Sequence, residues 1–549
     1  MSNNIALKTA ENTQSNSGLV AISRILIGAA LVILFGYLLI YIAFAVNLIQ
    51  FPFDYDQGEG FELVDTIMFS QGEWPYQDTD AYPFYSSNYP PLFHLIAAPF
   101  VWLFGPAYWY GRLLGFLGTL VTASAIGYAV YREGGHKGIA ALSGLAFLAS
   151  NTVFHIGPLF RQHMTMVMFE TLAVVVLAHA TEIRDPRRRR LVLITGLALI
   201  LCAGYTKQLA YATAAAALIF LFIRSPRTGL LCGIGFAAIF GAIFVFLNAA
   251  TGGQWWLQTI SANVNEFYPD QTIGLYRLWF SLHGFLIVPA VLWVLYELYF
   301  SRLSIYTLWF IAAVANAALS GKWGAGDSYF ATAIAATCIL SGIFAARTVK
   351  RAWQFPQNFY ARFLINPLRH LSPIIYSAGL ILIPLLYIGY AAATLKMPTQ
   401  GAVFEPLARI LNLTPNADNA FYDSAGRIAG GYADIGHFTT AQDIENGWHI
   451  VQRVREAEGD VLSEEAAFNL LAGKPVITNP TQLLNLWLND QWDSAALVQM
   501  IENQDFGLIV LRAQFYPTDV LIAIGNNYQQ IETIHMNGFD YLLLAPNPT

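Results

Sequence analysis

Residues 53–95 read FDYDQGEGFELVDTIMFSQGEWPYQDTDAYPFYSSNYPPLFHL, and the rest of the chain is best understood outward from them. An apolar run over residues 25–47 precedes the stretch, long enough for a membrane span of about 20 residues. Just past its end, Asp54, Asp56 and Glu59 crowd together. Carboxylates at a membrane surface are costly unless solvated or paired. A plain solvated loop is one reading of them. Gly58 and Gly60 favour another, because glycine permits close backbone approach, and a loop that folds back to aim a carboxylate into a cavity needs it. Residues 61–71 keep a helical period and stop at Gly72, which predicts a short amphipathic helix lying on the membrane. The run 90–104, PPLFHLIAAPFVWLF, is short and Pro-led and predicts a second interfacial helix.

The whole chain has 549 residues, 56% hydrophobic and 12% charged. A soluble chain carries about 25% charged residues, so a cytosolic enzyme, a disordered scaffold and a basic nucleic-acid binder are excluded. Further apolar runs lie at roughly 107–130, 138–157, 162–181, 191–206, 208–223, 229–250, 275–300, 303–320, 327–346 and 373–395, which with the first makes eleven. With the N-terminus inside, 17 of the 23 Lys and Arg before residue 397 fall in inner loops, as the positive-inside rule requires. Arg112, Arg161, Lys207, Arg277, Lys322 and Lys396 fall outside. The expected division is a cytoplasmic tail over 1–24, a transmembrane part over 25–395 with its first outer loop at 48–106, and an extracytoplasmic part over 396–549. The polar N-terminal residues and the long run behind them do not read as a cleavable signal.

Charge separates the last two parts. Residues 1–396 carry a net +6, and residues 397–549 a net −12. The tail lacks cysteine, and Cys202, Cys232 and Cys338 lie in apolar stretches, so no disulfide framework is expected. Its pattern is α/β: a helix over 441–457, a strand near GDVLS, a helix over 464–472, a turn and strand in LAGKPVIT, a helix over 494–503 capped by Asp493, and strands FGLIVL and FDYLLL. It shows neither a Gly-rich phosphate loop nor Ser/His/Asp spacing, and reads as a recognition or stabilising unit. The fold class is therefore mainly α and polytopic, with a C-terminal α/β part.

The order of motifs resembles the GT-C superfamily of integral-membrane glycosyltransferases, in the branch of the protein O-mannosyltransferases and the aminoarabinose transferase. The residues that carry it are Asp56-Gln57-Gly58-Glu59-Gly60, Gly72 to Tyr76, Tyr89-Pro90-Pro91-Leu92 and Gly105-Pro106 with Arg112. Tyr205-Thr206-Lys207-Gln208, Thr251-Gly252-Gly253 with Asn265, and Lys322-Trp323-Gly324 leading to Asp327-Ser328-Tyr329-Phe330 extend it. The resemblance implies inverting transfer of a sugar from a polyprenyl-phosphate donor to a glycan, lipid or protein acceptor on the outer face of a bacterial inner or plasma membrane. It also implies an acidic general base in the first outer loop: Asp56 first, then Glu59 as base or sugar ligand, then Asp54. Asp54-Tyr55-Asp56 is a D-x-D as well, a pair able to hold Mg²⁺ or Mn²⁺ with a substrate phosphate if the reaction is metal-dependent.

The outer cations suit a lipid phosphate, since Arg binds phosphate bidentately and Lys acts as a point charge. Arg161, Lys207, Arg277, Lys322 and Arg112 are the candidates, with Gln208, His163, Asp327 and Tyr329 as further substrate contacts. Snorkelling to the interface, or pairing with Glu170, Glu266 or Asp270, is the other reading of such cations. Asp327 replaces an expected amide, which leaves the sugar preference open. Lys396 joins the tail, and His94 and His283, in apolar helices, read as satisfied core histidines. Trp255 and Trp256 read as interfacial belt residues. A transporter or lipid-glycan flippase is the alternative, although the two-half repeat usual in transporters is not apparent.

Overall fold

A computed structural model describes residues 2–426 and 436–548, with side chains described from residue 18 onward. Eight helices among the described residues are long and apolar enough to cross a membrane. Each coincides with one of the runs expected above, beginning with the Gly18–Gln50 segment of helix α1 (Ser2–Gln50). The other three runs form the shorter apolar helices Lys137–Ala149, Gln208–Arg224 and Ile305–Gly321, so all eleven runs are helical, eight of them long. Local chemistry accounts for one of the shorter three. Ser150 ends the helix Lys137–Ala149 and starts Asn151–Ile156, its hydroxyl accepting from Val153 N, so the run 138–157 breaks in two.

The first loop carries the two expected surface helices, α2 (Glu59–Gln71) and α3 (Leu92–Phe104). Helix α2 has Glu59 and Glu62 in its first turn, where the helix dipole favours negative charge. It ends at Gly72, whose φ of 80° lets its N–H reach back to the carbonyls of Met68 and Phe69. Helix α4 (Trp109–Gly134) follows and brings Arg112 back under the loop.

The tail holds a two-stranded ladder, β1 (Lys396–Pro398) against β2 (Phe421–Asp423), and a four-stranded sheet. The sheet order is β3-β4-β6-β5, from β3 (Asp460–Ser463), β4 (Phe506–Leu511), β5 (Tyr528–Met536) and β6 (Phe539–Pro546). Only β3 and β4 run parallel. The expected strand in LAGKPVIT does not form. Pro475 has no N–H to give a ladder, its carbonyl is taken by Asn469 Nδ2 at 2.7 Å, and Asn479 caps the next helix, Pro480–Leu488. Strand β5 and the helices Pro480–Leu488 and Thr518–Asn527 are additions to the sequence reading.

The tail packs directly on the first loop. Phe53 meets Trp448 edge-on at 5.5 Å and Phe468 at 6.0 Å, and Tyr55 OH donates to His437 O at 2.8 Å. Asn479 Nδ2 donates to Ser86 O at 3.1 Å, and Trp492 Nε1 to Thr79 O at 2.8 Å. One wall of the loop is thus held by the tail and the other is left to the membrane helices.

Candidate active site

A cavity of about 560 Å³ opens between the first loop, the ends of the membrane helices and the tail. Asp56, Arg161, His163, Lys207, Gln208, Lys322, Asp327 and Tyr329 all line it. Asp54, Glu59 and Arg112 do not.

The three carboxylates of the loop are sorted by their hydrogen bonds. Arg112 Nε and Nη2 donate to the two oxygens of Glu59 at 3.0 and 2.7 Å, and the same guanidinium caps the carbonyls of Leu48, Phe51 and Phe53. Phe160 N and Tyr55 N add bonds to Glu59 at 2.6 and 3.0 Å. Burial works to raise the pKa of Glu59, but the Arg112 charge and these bonds outweigh it and hold the carboxyl below its ordinary value. Glu59 and Arg112 therefore clamp the chain where it leaves α1. Arg112, expected among the phosphate ligands, has its guanidinium committed to that clamp.

Asp54 accepts from Gly60 N, from Tyr108 OH at 3.0 Å and from Ala467 N of the tail at 3.1 Å. Burial, together with the charges of Glu465 and Glu59, raises its pKa well above the usual carboxylate value. Asp56 instead meets Arg161 Nε at 2.7 Å on the cavity wall. The D-x-D reading does not fit this arrangement, since one carboxylate is enclosed between loop and tail and the other is paired with Arg161. No step is assigned to a metal there.

Gly58 and Gly60 are explained by close approach. A Cβ on Gly58 would lie 2.0 Å from Arg161 Nη1, and one on Gly60 would lie 2.4 Å from Asp54 Oδ1 and 2.9 Å from Ala466 Cβ. One glycine admits the arginine that holds Asp56, and the other admits the carboxylate that ties loop to tail.

The cations converge from separate helix ends. Lys207 follows the helix Pro186–Thr206, with Nζ 2.7 Å from His163 Nε2 and 4.5 Å from the Tyr89 ring centroid. Lys322 Nζ donates to Asn263 O at 2.5 Å. Gln208 Nε2 bridges Asn88 O and Thr259 O at 2.9 and 3.1 Å. Thr152 Oγ1 donates to Asp327 Oδ2 at 2.8 Å. Arg277 is exposed and off the cavity, and Glu170 accepts from Thr213 and Thr332 hydroxyls at 2.5 and 2.6 Å. Lys396 is buried, with Nζ donating to the carbonyls of Ala149 and Thr394. Trp255 is buried against Tyr76, and Trp256 is exposed.

The sequence reading missed Glu62, Asp65, His155 and Asp423, which also line the cavity. Glu62 and Asp65 stand three apart in the otherwise apolar run FELVDTIMF, a spacing that puts both on one helix face. Burial, opposed by Arg161 and helped by Asp65, pushes Glu62 up to about 8. Burial, against hydrogen bonds from Ser87 and Tyr85, pushes Asp65 up to about 7. His155 Nε2 lies 2.5 Å from Asp423 Oδ2, an approach between residues 268 apart that local spacing does not reveal.

These helices, surface elements and tail define a multi-pass membrane protein with a C-terminal α/β part. The fold is shared with ArnT from Cupriavidus metallidurans. The ArnT crystal structure bound to undecaprenyl phosphate superposes with a TM-score of 0.54 at 15% identity, covering 92% of this chain and 98% of that one. The ArnT apo structure gives 0.53 at 14% identity with the same coverage. No protein-family model and no curated protein sequence matches the chain.

Proposed function

We propose that the chain is an inverting glycosyltransferase, moving a sugar from a polyprenyl-phosphate donor to an acceptor hydroxyl with Asp56 as general base. The observation that carries the reading is the meeting of Asp56, Lys207, Lys322 and Arg161 on one cavity. Its shared fold with ArnT, which was crystallised with undecaprenyl phosphate, supports the choice of lipid.

The chemistry assigns a task to each group. An acceptor hydroxyl is a weak nucleophile until a carboxylate takes its proton, and Asp56 receives that proton as the oxygen attacks the anomeric carbon. The bond from that carbon to the donor phosphate breaks on the opposite face, which inverts the centre. Its electron pair leaves on the phosphate oxygen, where Lys207 and Lys322 neutralise the developing charge. Arg161 holds the Asp56 carboxylate in place through the 2.7 Å contact. Glu59 and Asp54 fix the loop that presents Asp56. Residues 396–549 act as an extracytoplasmic part closing the cavity, in a bacterial inner or plasma membrane with the N-terminus cytoplasmic.

The test is transfer by purified protein given a polyprenyl-phosphate sugar and a panel of acceptors. Asp56→Asn is expected to lose about 10²–10⁴-fold in rate while still binding the lipid. Transfer by Asp56→Asn at the wild-type rate removes Asp56 as base.

A further inference from the structure

Helices α2 and α3 bring together a cluster that the transfer chemistry leaves unused. Glu62, Asp65 and His94 are all buried, and one ligand atom from each lies within 4.8 Å of the others. The expectation that His94 is a satisfied core histidine is corrected here, because its Nε2 is buried without a hydrogen-bond partner.

The surrounding bonds fix which nitrogen carries the hydrogen. Thr66 Oγ1 donates its single proton to Glu62 O at 2.7 Å and lies 3.3 Å from His94 Nδ1. In that second contact Nδ1 must therefore be the donor. The neutral ring then presents a bare lone pair on Nε2. It faces Glu62 Oε2 at 3.4 Å and Asp65 Oδ2 at 3.7 Å. Arg161 Nη1 reaches only the other oxygen of Glu62, at 3.1 Å, so these three electron-rich atoms repel unless a proton or a metal ion lies between them.

The spacing suits an ion. Tetrahedral zinc with ligands at about 2.0–2.1 Å sets neighbouring ligand atoms roughly 3.3–3.4 Å apart. We propose that Glu62, Asp65 and His94 form a zinc-type divalent metal site in the wall of the cavity. Each ligand is already held by a further bond: Glu62 Oε2 receives Gln162 Nε2, Asp65 receives Ser87 and Tyr85 hydroxyls, and His94 is oriented by Thr66. Three protein ligands leave a fourth position for water or a substrate oxygen. Glu62 and Asp65 line the cavity, and His94 is buried off it.

Full-length protein in detergent, stripped with EDTA, reloaded with zinc chloride and desalted, tests the site by its metal content. About one zinc per chain is expected in the wild type, three protein ligands making a complete site. His94→Gln, eluting at the wild-type volume, is expected to bind at least about 10-fold more weakly. Asp56→Asn is expected to retain the metal, which separates this site from a D-x-D site. Cobalt-loaded wild type gives a readout free of any folding defect in the variant, and the visible d–d bands of a tetrahedral histidine and carboxylate site are expected. Metal content no higher than a buffer blank, wild-type binding by a folded His94→Gln, or absence of the cobalt bands overturns the proposal, and the first of these leaves a shared proton as the cluster's occupant. The measurement uses no sugar donor, so it stands apart from the transferase reading.

Discussion

The two faces of the first loop use the same kind of residue for opposite ends. On the packed face, Glu59 and Asp54 have their oxygens taken up by Arg112, backbone N–H groups and a tyrosine hydroxyl. On the cavity face, Asp56 and Glu62 meet Arg161, and Asp65 meets the Tyr85 and Ser87 hydroxyls, on a wall that Lys207 and Lys322 also line. Carboxylates that accept from backbone N–H groups hold the chain in place, whereas Asp56, Glu62 and Asp65 are bonded by side chains at the edge of the cavity. The difference lies in three dimensions, because Asp56 and Glu59 stand in the same motif.

Breaking the packed face has the largest expected effect. Removing one partner of a buried ion pair costs about 3–5 kcal/mol, so Arg112→Ala should lower the unfolding temperature sharply and take activity with it. A stable, active Arg112→Ala protein contradicts the division. On the cavity face, Lys207→Ala should lower transfer about 10²–10³-fold, the usual cost of one charge-stabilising donor, with thermal stability close to wild type. Loss of fold instead of turnover would move Lys207 to the packed side.

Gly58→Ala sharpens the comparison at its border. The new methyl would meet Arg161 Nη1 at 2.0 Å and displace the guanidinium from Asp56. A fall in turnover on the order of 10-fold is expected, with lipid binding kept, since misplacement of about 1 Å costs up to about 10²-fold.

The smallest effect concerns the counterpart of Lys207. Burial, partly offset by Asp423, lowers the Lys396 ammonium to about 7. The folded protein then binds fewer protons than the unfolded chain between that value and the ordinary lysine range. Stability from this group is lowest below about pH 7 and rises with pH through that window, by at most about 1.4 kcal/mol per unit. Unfolding followed from pH 7 to 9 should show a shallower rise in Lys396→Met than in wild type.

Much of this was legible in one dimension. Apolar runs located the eight long helices, and Gly72 and Pro90-Pro91 bounded the two surface helices. Lys207 and Lys322 stood out because they break the positive-inside pattern. Strand β5, YQQIETIHM, was hidden by its polar residues, although Asn537-Gly538 after it is a hairpin signal with φ of 54° and 81°. The commitment of Arg112 to Glu59 could not be read, since it depends on α4 folding back beneath the loop. His94 was read by its apolar neighbours, and only the Thr66 contact showed which of its nitrogens faces the carboxylates.

The most direct measurement is an experimental structure of the protein with polyprenyl phosphate added. The phosphate should lie within hydrogen-bond reach of Lys207 and Lys322, in the same cavity as Asp56. A lipid phosphate bound elsewhere, with this cavity empty, would contradict the account.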